Sequence, residues 1–407
     1  MELTSAYQPI VNLESGEIFG YEALARDATG KFPAAAFDAA RANGTLAALD
    51  WECRASAVRG ALEAGLRPPV ALFINNEPGV IREPPPERLR SVLTTGARSL
   101  DLYSEITERA IAKYPAELLQ RVFEMRSRGC SIAIDDVGAN PRSLAMLPVL
   151  KPDVIKLDLS LIQAKPDLAS AAVMTSVAAY AQATGATILA EGIETEQHLL
   201  NAITLGATLG QGWLFGHPGP LPQGRPIEIT PAPQPPPPVP QLPEPELPSA
   251  IVGRKMPLRP GNPDFLMAIS KHLEHQALAL GQDTVVVSCF GHAQNFASDA
   301  REHYAQLART VGIVVVLGEG VPDEPAPDVR GGALDPDDVL IGEWTVAVLS
   351  PRYSAALVAR NLNETGTHAT PRFEFALTFD AEDVADVVRA LLPRIGAEQA
   401  MRVPLAA

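Results

Sequence analysis

Two kinds of hydrophobic pattern alternate along the first 217 residues. Short apolar runs predict buried strands, and longer stretches with apolar positions spaced at i, i+3 and i+4 predict amphipathic helices. In the stretch from Pro115 to Gly129, for example, Leu118, Val122 and Phe123 fall on one helical face. The predicted strands are EIFGYEAL (17–24), PVALFIN (69–75), LDLYSEIT (100–107), CSIAIDD (130–136), DVIKLD (153–158), ATILAEG (186–192) and TLGQGWLF (208–215).

Strand and helix follow one another in regular alternation, which favours parallel strands joined by helical crossovers. Further helices are predicted at 167–185, which ends at Gly185, and at 195–206, which begins at Thr195 and ends at Gly206. A length of 217 residues is common for one β/α barrel. Residues 1–217 are therefore predicted to form an α/β domain, a TIM-like β/α barrel.

A proline-rich stretch separates this region from the rest of the chain. Between Pro218 and Pro263 lie 17 of the 38 prolines, and the run PAPQPPPPVPQLPEPELP (231–248) favours extended polyproline II. At ~3.1 Å per residue this run would reach roughly 55 Å. We therefore predict a semi-rigid linker over 218–261.

Residues 262–407 show a second mixture of strands and helices, so a smaller α/β or α+β domain is predicted there. Cys289 near His292 is a weak pair of reactive residues, and a packed cysteine explains it better. The predicted strands are TVVVSCF (284–290), GIVVVLG (312–318), EWTVAVLS (343–350) and FEFALTFD (373–380). The predicted helices are 264–278, 299–310 and 381–395.

Composition and charge narrow the class of function. Forty-eight acids against 33 bases give a net charge of −15, which argues against binding to duplex DNA or to an anionic membrane. No signal peptide is evident, and no apolar run approaches the ~18–20 residues of a membrane span. Three widely spaced cysteines predict reduced thiols, and together these features predict a cytoplasmic protein.

Polar residues stand where the predicted strands end. In a β/α barrel these ends meet at one mouth, where active sites are built. A single acid at one strand end is also explained as a loop start or a helix cap, but the recurrence indicates a site. The residues, in chain order, are Glu22, Asn75, Glu105, Asp135, Asp136, Lys156, Glu191 and Gln211.

Five converging carboxylates would repel one another unless cations offset their charge. Oxygen donors suit Mg²⁺ or Mn²⁺, and the absence of paired His or Cys argues against zinc. The aspartate pair at Asp135 and Asp136 suits two ions roughly 3.5–4 Å apart, the arrangement used for phosphoester hydrolysis. Lys156 is placed to orient the attacking water.

The motifs at these strand ends resemble, in order, those of EAL-domain cyclic di-GMP phosphodiesterases. The resemblance covers about residues 4–217 and implies a β/α barrel whose first strand is antiparallel. It also implies hydrolysis of one phosphodiester of cyclic di-GMP to linear pGpG with Mg²⁺ or Mn²⁺. The matching motifs are YQPIVNLESGEIFGYEALAR (7–26), LFIN (72–75), SEITE (104–108), IAIDD (132–136), VIKLD (154–158), AEGIE (190–194) and LGQGWLF (209–215).

The resemblance implies a role for each matching position. A second ion would lie between Asp135, Asp136 and, through water, Glu191. Lys156 and Glu191 would position and deprotonate the attacking water. The implied ligands of the first ion are Glu22, Asn75, Glu105 and Asp135.

Further residues correspond to the substrate side of the family's site. Arg26 suits a phosphate or a guanine edge, and Gln211 would help to hold the metal ligands beside the substrate. The other implied substrate contacts are Gln8 and Leu24. Two acids are implied to brace the loop that follows Asp136, namely Glu108 and Glu194.

That loop departs from the family's pattern. Active members usually continue the aspartate pair as phenylalanine, glycine, a small residue, glycine, tyrosine and two serines, whereas here the sequence is VGANPRS (137–143). In the family this loop couples dimerisation to metal binding, so a non-hydrolytic cyclic di-GMP receptor stays open as an alternative. A homodimer through the barrel is expected from the family alone.

Two other interpretations concern the barrel and the C-terminal domain. A barrel glycosidase using Glu105 and Glu191 is disfavoured, because such sites use aromatic platforms and only 5% of the chain is aromatic. Residues from about 262, with DPDDVLIGEWTVAVLSP (335–351), resemble the DICT domain, a presumed sensory module. This resemblance implies regulation of the barrel by an unidentified ligand or partner.

Overall fold

The computed structural model describes residues 3–77, 83–107, 115–138, 141–222, 246–296, 298–362 and 372–395. Eight strands close into a barrel in chain order, and β1 runs antiparallel to both of its neighbours while the other pairs are parallel. The predicted barrel with an antiparallel first strand is confirmed. The strands are β1 (Thr4–Asn12), β2 (Ile18–Arg26), β3 (Ala71–Asn76), β4 (Asp101–Thr107), β5 (Ser131–Val137), β6 (Val154–Leu157), β7 (Thr187–Ala190) and β8 (Leu209–Gln211).

Helices on the outside of the barrel begin and end at the residues that local chemistry favours. The Asp167 carboxylate accepts from the backbone N–H of Ser170, and Gly185 ends the same helix in the left-handed conformation. A 3-10 turn covers Pro141–Met146. The helices are α1 (Ala34–Ala42), α2 (Leu46–Glu63), α3 (Glu87–Ser99), α4 (Pro115–Ser127), α5 (Leu147–Leu150), α6 (Leu159–Gln163), α7 (Leu168–Thr184) and α8 (Glu196–Thr204).

The barrel interior holds an apolar layer beneath its mouth. Phe73 and Tyr103 stack with ring centroids 4.5 Å apart, and Phe19 packs against both. Side chains alternate along a strand, so the residues two positions further along β3 and β4, Asn75 and Glu105, also point inward. The polar residues at the strand ends therefore sit on a packed hydrophobic floor.

The C-terminal domain is a seven-stranded mixed sheet in the order β12-β11-β10-β13-β14-β15-β9. Its strands are β9 (Arg259–Gly261), β10 (Val285–His292), β11 (Ile313–Glu319), β12 (Arg330–Leu334), β13 (Glu343–Ser350), β14 (Tyr353–Asn361) and β15 (Phe373–Thr378). Its helices are α9 (Pro248–Gly253), α10 (Pro263–Leu280), α11 (Ser298–Thr310) and α12 (Ala381–Leu391), with 3-10 turns at Ala293–Asn295, Val339–Gly342 and Leu392–Arg394.

The structure differs from the predicted linker 218–261 at its C-terminal end, where α9 and β9 form. Ser249 of α9 is buried and donates its backbone N–H and hydroxyl to the Glu343 carboxylate, while Ile251 and Val252 are buried beside it. These contacts are long-range, so proline content alone did not indicate them. Most of the polyproline run lies outside the described residues.

The chain divides into two compact units. One contains the barrel strands, and the other contains the C-terminal sheet together with Pro141–Leu150, the segment between β5 and β6. Within the described residues, every helix is too short or too polar to cross a membrane.

Candidate active site

The ammonium group of Lys156 is the centre of the polar cluster in the barrel. Its Nζ lies 2.6 Å from Glu105 Oε1, 2.8 Å from Asp135 Oδ1 and 2.9 Å from Glu191 Oε1. Glu22 Oε2 is slightly further away, at 3.6 Å. Lys156 and Glu105 are each 0% exposed, whereas Glu191 is partly exposed, so the closure of the sheet gathers four carboxylates around a buried cation and leaves one edge of the cluster open to water.

Two amides hold Glu22 in place within this cluster. Asn75 Nδ2 donates to Glu22 Oε1 at 2.9 Å, and Gln211 Nε2 donates to Glu22 Oε2 at 2.6 Å. Gln211 also lies 3.1 Å from Gln8 Oε1, and Gln8 in turn donates to the carbonyl of Gly216 at 3.3 Å. The pairing of β1 with both β2 and β8 brings these residues side by side, because Gln8 is opposite Glu22 and Ile10 is opposite Gln211.

The charges of the cluster shift the pKa values of its members in different directions. Burial raises the pKa of Glu105 well above its usual value, and the Glu22 charge adds to that rise while Lys156 opposes it. Burial likewise raises the pKa of Glu191 to about 8, although Lys156 opposes the shift. For Lys156, burial favours the neutral amine, but the carboxylates of Asp135, Glu105, Glu191 and Glu22 together raise its pKa well above the usual value.

Glu22 is the exception among the buried acids. Burial favours its protonated form, but Lys156 and the hydrogen bonds from Gln211 and Asn75 outweigh that effect and lower its pKa. Amide donors stabilise a carboxylate only when it is ionised. Glu22 is thus held ionised, whereas Glu105 and Glu191 favour protonation, because one lysine does not offset four acids.

Asp135 and Asp136 reach the same site because the strand is distorted between them. Adjacent residues on a regular strand point to opposite faces, but Asp136 adopts a left-handed conformation with φ 59°. The pairing of β5 with β6 also shifts register between Ile134 and Val137. As a result, carboxylate oxygens of Asp135, Asp136 and Glu191 all lie within 4.8 Å of one another.

The donor atoms of this cluster suit hard divalent cations. Glu105 Oε2 is buried without a hydrogen-bond partner among the described residues, and the buried oxygens Glu105 Oε1 and Asp135 Oδ1 both lie against the same Lys156 ammonium. Buried acceptors of this kind are costly unless something satisfies them. Carboxylate and amide oxygens are the ligands that Mg²⁺ and Mn²⁺ prefer. The arrangement therefore fits the predicted two-ion site.

A cleft of about 290 Å³ opens beside the cluster, lined by Glu22, Leu24 and Asn75. Arg26, also predicted to contact substrate, is half-buried, and its guanidinium donates to the neighbouring carbonyl of Ala25 at 2.9 Å. Arg26 is not among the residues that line the cleft.

Sequence reasoning missed most of the residues that line the cleft, among them Phe32, Phe37 and Arg41. The two phenylalanine rings stack with centroids 5.5 Å apart, and Phe32 is 60% exposed. Two phenylalanines spaced five residues apart around a short helix, in a chain poor in aromatics, were the available signal. The fold was needed to place them beside the strand ends.

Two acids were predicted to brace the loop that follows Asp136. Glu108, residues 139–140 and the side chains of 141–143 lie outside the described residues. Glu194 is exposed, and its backbone N–H donates to Nδ1 of His198 at 3.3 Å. Bracing by Glu108 and Glu194 stays a prediction.

Comparisons with known proteins find similarity to both domains of the chain. Residues 1–218 match the family model described as the EAL domain, and residues 254–362 match DICT, described as a sensory domain in diguanylate cyclases and two-component systems. Among similar proteins, the cyclic di-GMP phosphodiesterase RocR of Pseudomonas aeruginosa is 33% identical over 228 residues, which cover 54% of this chain and 58% of that protein.

Other similar proteins share the same region. The probable cyclic di-GMP phosphodiesterase PdeI of Escherichia coli is 28% identical over 231 residues, which cover 54% of this chain and 29% of that protein. A solved structure of Klebsiella pneumoniae BlrP1 in a manganese and cyclic di-GMP complex is 29% identical, with a TM-score of 0.47, and covers 54% of this chain and 56% of the other. The similarity thus spans only part of each of these proteins. The EAL family model matches more than half of the residues of this chain, so the chain belongs to the EAL-domain family.

Proposed function

We propose that the barrel hydrolyses one phosphodiester of cyclic di-GMP to give linear pGpG, with two Mg²⁺ or Mn²⁺ ions. The observation that carries the proposal is the convergence of four carboxylates on Lys156 Nζ at 2.6–3.6 Å, with Asp136 turned into the same site. The cyclic di-GMP phosphodiesterase activity named for the family relatives is consistent with it.

The ligands of the proposed ions are distributed over five strand ends. The second ion would be held by Asp135, Asp136 and, through water, Glu191, and the oxygens of these three residues cluster within 4.8 Å. Bound ions would offset the negative charge of the phosphodiester and lower the pKa of the attacking water. The proposed ligands of the first ion are Glu22, Asn75, Glu105 and Asp135.

The protein's own groups would handle the proton. The Glu191 carboxylate, held 2.9 Å from Lys156 Nζ, accepts a proton of the attacking water as the water oxygen bonds to phosphorus. The bond from phosphorus to the leaving ribose oxygen breaks, and that oxygen takes up a proton from solvent water to give the ribose hydroxyl of pGpG. Lys156 keeps Glu191 oriented and offsets the charge that develops on the phosphate oxygens. Gln8, Leu24, Arg26 and Gln211 are proposed to bind the substrate.

A turnover assay with matched variants tests this proposal. The purified chain is incubated with cyclic di-GMP and Mg²⁺ or Mn²⁺, and pGpG is measured by chromatography. Glu191→Gln is expected to lower turnover at least about 100-fold, as loss of a catalytic base does. Glu196→Gln, at an exposed acid of α8, is expected to leave turnover unchanged. Failure of the unmodified chain to form pGpG with either metal would refute the proposal.

Regulation by the C-terminal domain is proposed from contacts of Arg389 on α12. This side chain is 3% exposed; its Nε donates to the carbonyl of Val149 at 2.9 Å and its Nη2 to that of Pro148 at 2.8 Å. The carbonyls in the last turn of a helix lack partners within the helix, so Arg389 satisfies groups of α5 that would otherwise be unpaired. Pro141–Leu150 joins the strand of Asp135 to the strand of Lys156, so a change in α12 is proposed to reach the site along the chain.

The expected result for Arg389→Ala is a turnover number at least about fivefold lower, with little change in KM, because the segment between the two site strands loses its restraint. Arg309→Ala, at an exposed arginine of α11, serves as the control. Equal turnover in the two variants would exclude this route.

A second candidate function is a cyclic di-GMP receptor without turnover. The observation that favours it is the altered sequence VGANPRS (137–143) directly after the aspartate pair. Binding of cyclic di-GMP without pGpG formation, unaffected by Asp136→Asn, would support it over hydrolysis. A homodimer through the barrel, the unidentified ligand or partner of the DICT domain and a cytoplasmic location stay predictions of the sequence.

A further inference from the structure

A second cavity lies on the outer side of the barrel wall. It has a volume of about 130 Å³, is lined by residues of β3, β4, α2, α3 and α4, and is open to solvent on one side. Its apolar walls come from Trp51, Val58, Leu93, Leu102 and Met125. A dry cavity of ~150 Å³ accommodates a benzene ring, so this space suits one small planar ring.

The polar wall of this outer cavity carries only positive charge. Three arginines line it, Arg54, Arg121 and Arg128, and no aspartate or glutamate does among the described residues. Arg54 and Arg121 are 7% and 8% exposed, so both guanidinium groups are largely removed from water. Buried arginines of like charge are unfavourable neighbours unless anions accompany them.

The existing partners of these arginines satisfy them only in part. Arg54 forms an ion pair with Asp50 and lies 4.5 Å above the Trp51 ring, but its Nε has no hydrogen-bond acceptor within the described part of the chain. Arg121 pairs at 3.1 Å with Glu124, which is partly exposed. Burial lowers the pKa of Arg121, and the charge of Arg54 adds to the effect.

The strand residues facing this cavity are also unusual for the outside of a barrel. Outward positions of barrel strands pack against helices and are commonly apolar. Here Asn76 and Ser104 face outward, one position beyond Asn75 and one position before Glu105. Asn76 Nδ2 donates to Ser104 Oγ and to the Ile74 carbonyl. Packing alone does not require polar groups at this place.

We propose that the outer cavity binds a small planar organic carboxylate, with its ring against Trp51 and the aliphatic wall and its carboxylate paired with Arg54 and Arg121. A guanidinium pairs with a carboxylate through two parallel hydrogen bonds, and the unpaired Nε of Arg54 offers one donor. The apolar walls disfavour inorganic phosphate, which has no ring to fill them. None of the proposed metal ligands lines this cavity, although Arg54, Ile74 and Asn76 line both it and the cleft beside the metal cluster. The proposal does not depend on phosphodiesterase activity.

Calorimetric titration of the full-length chain tests the proposal, with benzoate as the probe. Benzoate is expected to bind one to one with a dissociation constant of about 1 mM or tighter. Benzamide, which has the same shape without the charge, is expected to bind at least about tenfold more weakly, and inorganic phosphate is expected not to compete.

Three variants locate the binding. Arg121→Gln is expected to weaken benzoate binding at least about tenfold, because it removes one guanidinium from the wall. Ala97→Phe, at an exposed lining residue of α3, is expected to fill the entrance and abolish binding without disturbing the core. Arg98→Gln alters the next residue, which is exposed and outside the lining, and is expected to bind benzoate as the unmodified chain does.

Several results would overturn the proposal. These are absence of benzoate binding, equal affinity for benzamide, or benzoate binding that survives both Arg121→Gln and Ala97→Phe. Because pGpG formation is measured separately, an active chain that binds no benzoate would refute this inference and leave the proposed function standing.

Discussion

Replacement of Lys156 by methionine is the sharpest test of the polar cluster. The substitution keeps a long, unbranched side chain in a fully buried position and removes the ammonium group that lies within 3.6 Å of four carboxylates. Removing one partner of a buried ion pair costs about 3–5 kcal/mol in the free energy of unfolding. At roughly 2–4 °C per kcal/mol for a domain of this size, the Tm of the barrel should fall by roughly 6–20 °C.

The pH dependence of this loss follows from the raised pKa values. Glu105 and Glu191 have folded-state pKa values above those of the unfolded chain, so their protonation stabilises the fold at low pH, and this contribution is lost as pH rises through the folded value. Lys156 lowers both pKa values, so its removal raises them further. The deficit of Lys156→Met should therefore be small near pH 5 and should grow toward pH 8–9.

Scanning calorimetry between pH 5 and 9, without and with Mg²⁺, measures the effect. Lys165→Met is the matched control, since Lys165 is exposed, and its Tm should follow that of the unmodified chain at every pH. The double variant Lys156→Met with Glu105→Gln should recover part of the loss, because one buried acid without a counter-charge is gone. Equal Tm values for Lys156→Met and Lys165→Met at pH 8 would refute the electrostatic reasoning.

Three further predictions concern the same site. Asp136→Asn should keep the fold, because asparagine tolerates the left-handed conformation at φ 59°. The rate of pGpG formation should fall at least about 100-fold. A chromatographic assay in which the variant keeps more than half of the activity would contradict the proposed role of Asp136. Gly212→Ala should lower the free energy of unfolding by about 2–4 kcal/mol, because the new Cβ would lie 2.1 Å from the carbonyl oxygen of Ile193. In the control Gly16→Ala the new Cβ meets nothing within 4 Å, so the free energy of unfolding should fall by about 1 kcal/mol. Equal denaturant midpoints for the two variants would contradict the predicted clash with Ile193. The affinity for Mg²⁺ should rise up to about tenfold per pH unit between pH 6 and 8, because the metal displaces the proton of Glu191, whose pKa is raised to about 8. Calorimetric titrations that give the same Mg²⁺ affinity at every pH in this range would rule out this linkage.

Local sequence determined most of the strands and the order in which they present polar groups. Seven predicted strands of the barrel coincide with β2 to β8, because buried strands in a parallel sheet are short apolar runs that can be identified without their neighbours. In the C-terminal domain β14 was missed, although YSAALVARN is apolar at its centre. β14 follows β13 in a hairpin with two connecting residues, so Pro351 was an available local signal of the turn, whereas the pairing of β14 with β15 joins segments further apart in the sequence.

Only the tertiary structure decided how the site residues meet. The sequence placed Asp135 and Asp136 together, but strand alternation alone would send them to opposite faces, and the left-handed conformation of Asp136 unites them. The sequence placed Gln8 and Gln211 203 positions apart, and the pairing of β1 with both β2 and β8 brings them into contact. Hydrophobic periodicity reports which face of a strand is buried. Sheet closure, register and burial of charge depend on distant parts of the chain, so no local pattern specifies them.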